Sequence, residues 1–314
     1  MYFIGRRLCI TLITLFLVSL LTFCAFHLIP GDRALLALGI EATDEQVEAM
    51  RIEMGLDRSL PVQYLSWVKG FLSGSLGNSS RFRGASISGL VLERLPVTAA
   101  LGTLSLLFIL LISIPAVLLS VKREGSFSDR LMNTLTALNI SLPGFFLGVL
   151  FIWSFGLMLR FFSPGNYIHY TEDLAGFLGY LLFPALAIAI PNAAIVIKFL
   201  RASVFRELRC DYVRTAQSKG NTRRGALYRH VLKNAVIPAI TLLGMIIGEI
   251  FAGSIVIEQV FTIPGVGRLL FASITSRDYP LVQTLVVYIA FIVILANTLV
   301  DIAIQIIDPR IRIG

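Results

Sequence analysis

Long apolar stretches alternate with polar segments along this 314-residue chain. A helix needs about 20 apolar residues to cross roughly 30 Å of hydrocarbon. Leu8–Ile29, Val97–Val121, Leu131–Leu159, Phe177–Leu200, Ile237–Ile257 and Leu281–Ile307 reach that length. The pattern therefore predicts an all-α membrane protein with six transmembrane helices. Prolines 115, 143, 184 and 191 fall inside these stretches and are expected to bend or interrupt them, because proline lacks the N–H that a helix interior needs. Residues 31–96 form the one sizeable segment outside the spans. Thr43–Met54 reads as an acidic helix with Thr43 or Asp44 as its cap, stopped at Gly55-Leu56-Asp57. The run Val62–Val68, extended by Phe71 and Leu72, is amphipathic and suits either a membrane surface or the protein's own spans.

The polar stretch 200–236 has an order of its own. Val204, Leu208, Tyr212 and Ala216 recur every four residues and so share one helical face. Gly220 supplies a helix stop, and Asn221 or Thr222 caps a second short helix on which Leu227 and Val231 share a face. Counted from Lys198, ten Lys/Arg here oppose only Glu207 and Asp211. Such an excess beside membrane spans marks the cytoplasmic side. Six spans bring both termini to that same side, which then holds 17 of the 27 Lys/Arg, so both termini are expected to be cytoplasmic. The expected organisation is a first span within 1–30, an extracytoplasmic segment 31–96, and a five-span core 97–314 containing the loop 200–236.

Composition agrees: 56% of residues are hydrophobic and only 15% charged, against about 25% charged in a soluble domain. The net charge of +8 does not suggest nucleic acid, because the cations gather at the ends of apolar stretches. The lipid bilayer is the expected partner instead. The apolar run after Arg6-Arg7 is too long for a cleaved leader. Cys9, Cys24 and Cys210 have no metal-ligand spacing and are expected to be buried or free thiols. His27, His169 and His230 are dispersed. Neither a phosphate-binding Gly-x-x-x-x-Gly-Lys-Ser/Thr loop nor a His-Glu-x-x-His or Gly-x-Ser-x-Gly string occurs. No cofactor, metal site or enzymatic centre is expected from such a chain.

Two further patterns bear on function. In the fifth span Gly244, Gly248 and Ala252 recur every four residues with Gly253 alongside, a register that lets helix backbones approach closely. That face suits packing within the bundle, or equally a second subunit or a substrate path. Glu249 lies next to it, and an ionisable group inside a span is costly enough to be a functional candidate, although a structural hydrogen bond also accommodates it. Beyond the span, Glu258, Phe261, Pro264, Gly265 and Gly267 lead to Asp278. Pro-Gly followed by a second glycine enforces a tight turn, so this loop is expected to fold back, either as a plain structural turn or over a pore mouth or an external partner.

Taken in order, a set of strings resembles the B-type permease subunits of bacterial ABC importers of the oligopeptide/dipeptide/nickel group. They are Gly55-Leu56-Asp57 with Pro61-Val62-Gln63-Tyr64, Arg94-Leu95-Pro96-Val97-Thr98, Asp211-Tyr212-Val213-Arg214-Thr215-Ala216 with Gly220, and Arg229-His230 with Asn234-Ala235 and Pro238. Glu258, Phe261 and Pro264-Gly265-Val266-Gly267 follow, then Arg277-Asp278-Tyr279-Pro280 and Asp308-Pro309-Arg310. The family's Glu-Ala-Ala signature, with Gly after three intervening residues, is matched at its centre by Thr215-Ala216 and Gly220, but Arg214 replaces the Glu and Lys233 a proline. The resemblance implies an ABC importer type I permease fold in a bacterial inner membrane. It implies that Tyr212, Arg214, Thr215, Ala216, Gly220, Arg224 and Leu227 belong to a coupling loop seated on a cytoplasmic ATPase. It also implies a second homologous permease (a heterodimer), two ATP-binding subunits, and an extracytoplasmic binding protein that delivers di- or oligopeptides, or nickel and metal chelates. An ATP-independent channel or secondary transporter is the rival reading.

Overall fold

The computed structural model describes residues 2–29, 31–38, 42–79, 81–82 and 84–307. Arg83 and the C-terminal Asp308-Pro309-Arg310 and Arg312 lie outside the described residues. Among the described residues every regular element is helical. In chain order these are α1 (Tyr2–Leu28), α2 (Arg33–Leu38), α3 (Asp44–Glu53), α4 (Leu60–Ser73), α5 (Ile87–Lys122), α6 (Phe127–Ser141) and α7 (Gly144–Phe151). A π-helical turn, Ile152–Met158, extends α7. Then come α8 (Leu174–Leu208), α9 (Asp211–Ser218), α10 (Arg223–Ala226), a second π-helical turn (Leu227–Val231), α11 (Leu232–Val260), α12 (Val266–Thr275) and α13 (Tyr279–Ile307).

Five helical stretches are long and apolar enough to cross a membrane: Gly5–Leu28, Ile87–Lys122, Leu174–Leu208, Arg224–Val260 and Tyr279–Ile302. The third expected span differs. Instead of one helix over Leu131–Leu159, α6 and the α7 stretch Gly144–Met158 meet at 99°. The break has a local cause. Pro143 disfavours helical backbone at the residue before it, and Leu142 is extended at φ −92°, ψ 121°. Pro184 and Pro191 leave α8 continuous. Two boundaries also move outward: α5 starts at Ile87, ten residues before the apolar stretch, and the second helix of the basic loop runs on into α11.

Tertiary contacts divide the chain into two units, residues 1–99 with 264–295, and 100–263 with 296–314. In the first, α3 is capped as its sequence predicts. Thr43 Oγ1 accepts from the Gln46 N–H at 3.4 Å, and Gln46 Oε1 accepts from the Thr43 N–H at 3.0 Å. The amphipathic run forms α4, and its aromatic face packs on the protein's own helices rather than on lipid alone. The hydroxyls of Tyr64 and Ser19 lie 2.8 Å apart, the Tyr64 ring stands 5.4 Å from Phe23, and Phe71 lies 5.1 Å from Tyr288 of α13. Its other face leaves Leu65 and Leu72 exposed.

The second unit is built on α8, whose buried residues include Ala185, Ala187, Ala189, Ala193 and Ala194. Small side chains let neighbours approach closely. A Cβ on Gly148 would come within 3.1 Å of the Phe261 ring and 3.2 Å of Ile257.

Candidate functional site

The loop 200–236 folds as a helical elbow. Helix α8 ends at Leu208, and α9 begins at once behind an extended Cys210. Gly220 then turns the chain with φ +90°, a left-handed conformation that costs any residue with a Cβ. Thr222 Oγ1 accepts from the Gly225 N–H at 3.1 Å and so opens α10, one of the two caps that the sequence suggests. The apolar positions close inward. Val204, Val213, Ala226, Leu227, Val231, Ala235 and Ala239 form one buried cluster with Ala116, Val117 and Val121 of α5 and with Ile197 and Leu200 of α8. Of the four-residue stripe, Val204 is buried in this cluster and Leu208 and Tyr212 pack against it partly buried, whereas Ala216 is not part of it.

What remains outside is polar. Among the seven coupling residues, Arg214, Thr215, Gly220 and Arg224 are exposed, Tyr212 and Ala216 are half-buried, and Leu227 is buried. Tyr228 is 60% exposed between Arg224 and Arg229, an aromatic on the cationic face that periodicity assigned no role. Tyr212 donates to Glu207 Oε2 at 2.7 Å and braces α9 against the end of α8. Its phenol is pushed up to about 12, by burial first and by the hydrogen bond to Glu207 second.

The root of the elbow carries a clasp that sequence reasoning missed. Arg201 Nη2 donates to both Asp129 oxygens at 3.1 and 3.0 Å, Nε donates to Ser120 Oγ at 2.7 Å, and Nη1 donates to Asn133 Oδ1 at 2.8 Å. Ser120 in turn donates to Asp129 Oδ1 at 2.5 Å, and the Gly125 N–H donates to Oδ2 at 3.2 Å. The Asp129 side chain is only 5% exposed and that of Arg201 24%. Three helices, α5, α6 and α8, are therefore tied by one guanidinium. Counting Arg201 among ten loop cations concealed this, since a charge sum holds no information about partners. An acid at the start of an apolar stretch was the available signal.

In α11 the small-residue register splits into two uses. Gly244 is buried, and a Cβ there would lie 2.9 Å from Val300 Cγ1 of α13, so this position serves close packing inside the chain. Gly248 and Gly253 are half-buried, whereas Glu249 and Ala252 are exposed on one face with Met245 and Val256. The turn after α11 folds back as its prolines and glycines predict. Glu258, Phe261, Gly265 and Gly267 are buried and Pro264 is half-buried. The Tyr180 hydroxyl donates to the Phe261 carbonyl at 2.5 Å. In the other unit the Val266 N–H donates to Thr98 Oγ1 at 2.8 Å. Asp278 is fully buried, accepts from Ser79 Oγ, and accepts from the Arg81 and Leu281 N–H groups at 3.4 Å each.

Fold and elbow together define a class: all-helical multi-span membrane proteins with a polar helical elbow between two spans. Residues 109–313 match the family described as binding-protein-dependent transport system inner membrane component, and residues 1–102 match the description of its N-terminal region; the chain belongs to this family. It is a multi-pass protein of the bacterial inner membrane. Similar proteins include a probable peptide ABC transporter permease protein of Sinorhizobium fredii, 34% identical over 310 residues that cover 99% of each chain. A putative peptide permease protein of Brucella ovis is 35% identical over 312 residues, 98% of each chain. The oligopeptide transport system permease protein AppB of Bacillus subtilis is 32% identical over 312 residues, 99% of each chain.

Proposed function

We propose that this chain is one permease subunit of an ATP-binding-cassette importer for di- or oligopeptides. It pairs with a second, homologous permease, two cytoplasmic ATPases drive it, and an extracytoplasmic binding protein supplies the cargo. The exposed cationic face of the elbow, held on a buried apolar base in a member of this family, is the observation that carries the reading. Peptides are favoured over nickel or metal chelates because the similar proteins are named for peptides. Family membership favours an importer over an ATP-independent channel or secondary transporter.

The mechanism follows from how the elbow is built. Arg214, Thr215, Arg224 and Tyr228 face the ATPase groove, and the buried base (Val213, Ala226, Leu227, Val231) joins that face to α5, α8 and α11. Closure of the ATPases then moves the elbow as a rigid body, and the spans follow because packed cores do not deform gradually. ATP binding and substrate binding are linked through the two states of the permease pair. Glu249, with Met245 and Ala252, lines the translocation path or the permease–permease seam, where a carboxylate meets water or cargo rather than lipid. Both termini lie in the cytoplasm.

Purification and uptake test this reading together. The tagged chain should bring a second permease and ATPases with it, and Ala216→Asp combined with Gly220→Val should abolish peptide uptake. Uptake at the normal rate, with ATPases still attached, would refute the coupling role. Labelling of single cysteines at the two ends from outside intact cells checks the orientation, and no labelling is expected.

A further inference from the structure

Outside the elbow's docking face, the clasp borders a cleft of about 300 Å³ between α6 and α8. One of its walls is cationic. Arg201 and Lys198 both line it, against the single carboxylate of Asp129 behind them, and no carboxylate is among the lining residues. Asn133 must turn its Oδ1 toward Arg201, because a guanidinium only donates. Its NH2 group therefore points the other way. The other wall, on α6, turns apolar at Ala137 and Ile140, with Ile197 beside Lys198 on α8; the Phe205 ring, also on α8, stacks under Arg201 at 4.9 Å. Lys198 is exposed at the last apolar turn of α8, level with Ile197 and Leu200, so the cleft opens where hydrocarbon gives way to headgroups.

We infer that this cleft binds the phosphodiester headgroup of an anionic phospholipid. Lys198, the one remaining Arg201 Nη1 N–H and the Asn133 amide donate to the phosphate, and the acyl chain lies along Ala137 and Ile197. Donors and surplus positive charge on one wall, with an apolar wall at bilayer level, select a ligand that is anionic at one end and apolar at the other. A zwitterionic lipid brings no net charge to the second cation, and inorganic phosphate gains nothing from the apolar wall. The ligand would sit against the clasp that ties the elbow to α5 and α6, so lipid composition would bear on elbow position.

Native mass spectrometry tests the inference on the full chain, purified in detergent with whatever subunits accompany it. Phosphatidylglycerol and phosphatidylethanolamine are supplied as equimolar mixed micelles. One phosphatidylglycerol should be retained in preference to phosphatidylethanolamine. Lys198→Ala should lower its retention roughly fivefold, Lys198→Arg should preserve it, and Ala137→Trp, which fills the cleft without changing charge, should also lower it. Thermal unfolding of each variant reports whether it is folded. Equal retention of the two lipids, folded Lys198→Ala or Ala137→Trp protein with undiminished phosphatidylglycerol, or displacement of the lipid by millimolar inorganic phosphate would each overturn the assignment.

Discussion

The two loops that bracket α11 use charge in opposite ways. Before the helix, the elbow buries alanine, valine and leucine and displays arginine and lysine. At its far end the helix buries Glu258, and the segment beyond it buries Asp278, each with no exposed surface. A displayed cation is solvated and costs little, which leaves it available to an incoming partner. A buried carboxylate must have its acceptor sites filled by the protein, and Asp278 fills them from Ser79, Arg81 and Leu281. Charged side chains thus stay solvated and available in one segment and brace the fold in the other. Charge alone does not tell which; burial does.

The largest expected effect sits where the elbow breaks this contrast, at its root. Asp129→Ala leaves Arg201 largely buried without its carboxylate and should cost about 3–5 kcal/mol of stability, read as earlier thermal unfolding and lower membrane levels of the protein. Asp278→Ala should cost about 2–3 kcal/mol by stranding buried donors, again seen in unfolding. Gly220→Val should cost about 1–2 kcal/mol, because φ +90° is strained for a β-branched residue. No steric clash contributes, since a Cβ there meets nothing within 4 Å. Arg214→Glu with Arg224→Glu should leave stability within about 0.5 kcal/mol while lowering ATPase retention roughly tenfold in pull-downs. A large stability loss in that double variant would erase the distinction between the two loops.

The smallest effect is a pH dependence at Tyr212. The folded protein holds this phenolic proton more tightly than the ordinary value of 10, with a folded value of about 12. The stabilisation is therefore complete below pH 10 and is lost as pH rises through 12. Tyrosinate absorbance during a rise from pH 9 to 12.5 should show a late-titrating component that Tyr212→Phe removes.

Much of the scaffold was legible because it depends on local chemistry. Apolar length located the spans, Thr43 was one of the two caps suggested for α3, and Gly220 marked the turn. Hydropathy misplaced the ends of helices. Glu93, Arg94 and Pro96 lower the apolar score, yet the backbone stays helical from Ile87, since helices outrun the apolar layer they cross. The bend at Pro143 was anticipated as a proline effect, but its angle depends on what α6 and α7 pack against. Helix α12 went unread because its ten residues fall well short of the length that marks a span. The pairing within the clasp lay beyond reach for another reason. Asp129 and Arg201 are 72 residues apart, and neither residue carries a mark of the other.

The second arm of the elbow and the fifth span form one helical stretch, Arg224–Val260, of 37 residues, a rod of about 55 Å at 1.5 Å per residue. Tilting such a lever by about 5° sweeps its far tip through roughly 5 Å, about one helical pitch. A modest stroke at Arg224 would then be felt many turns away at Glu249, through a helix that stays continuous across its π-helical turn and Pro238. Small molecules wedged beneath the Arg224 end should for the same reason jam transport while leaving cargo capture on the outer surface intact.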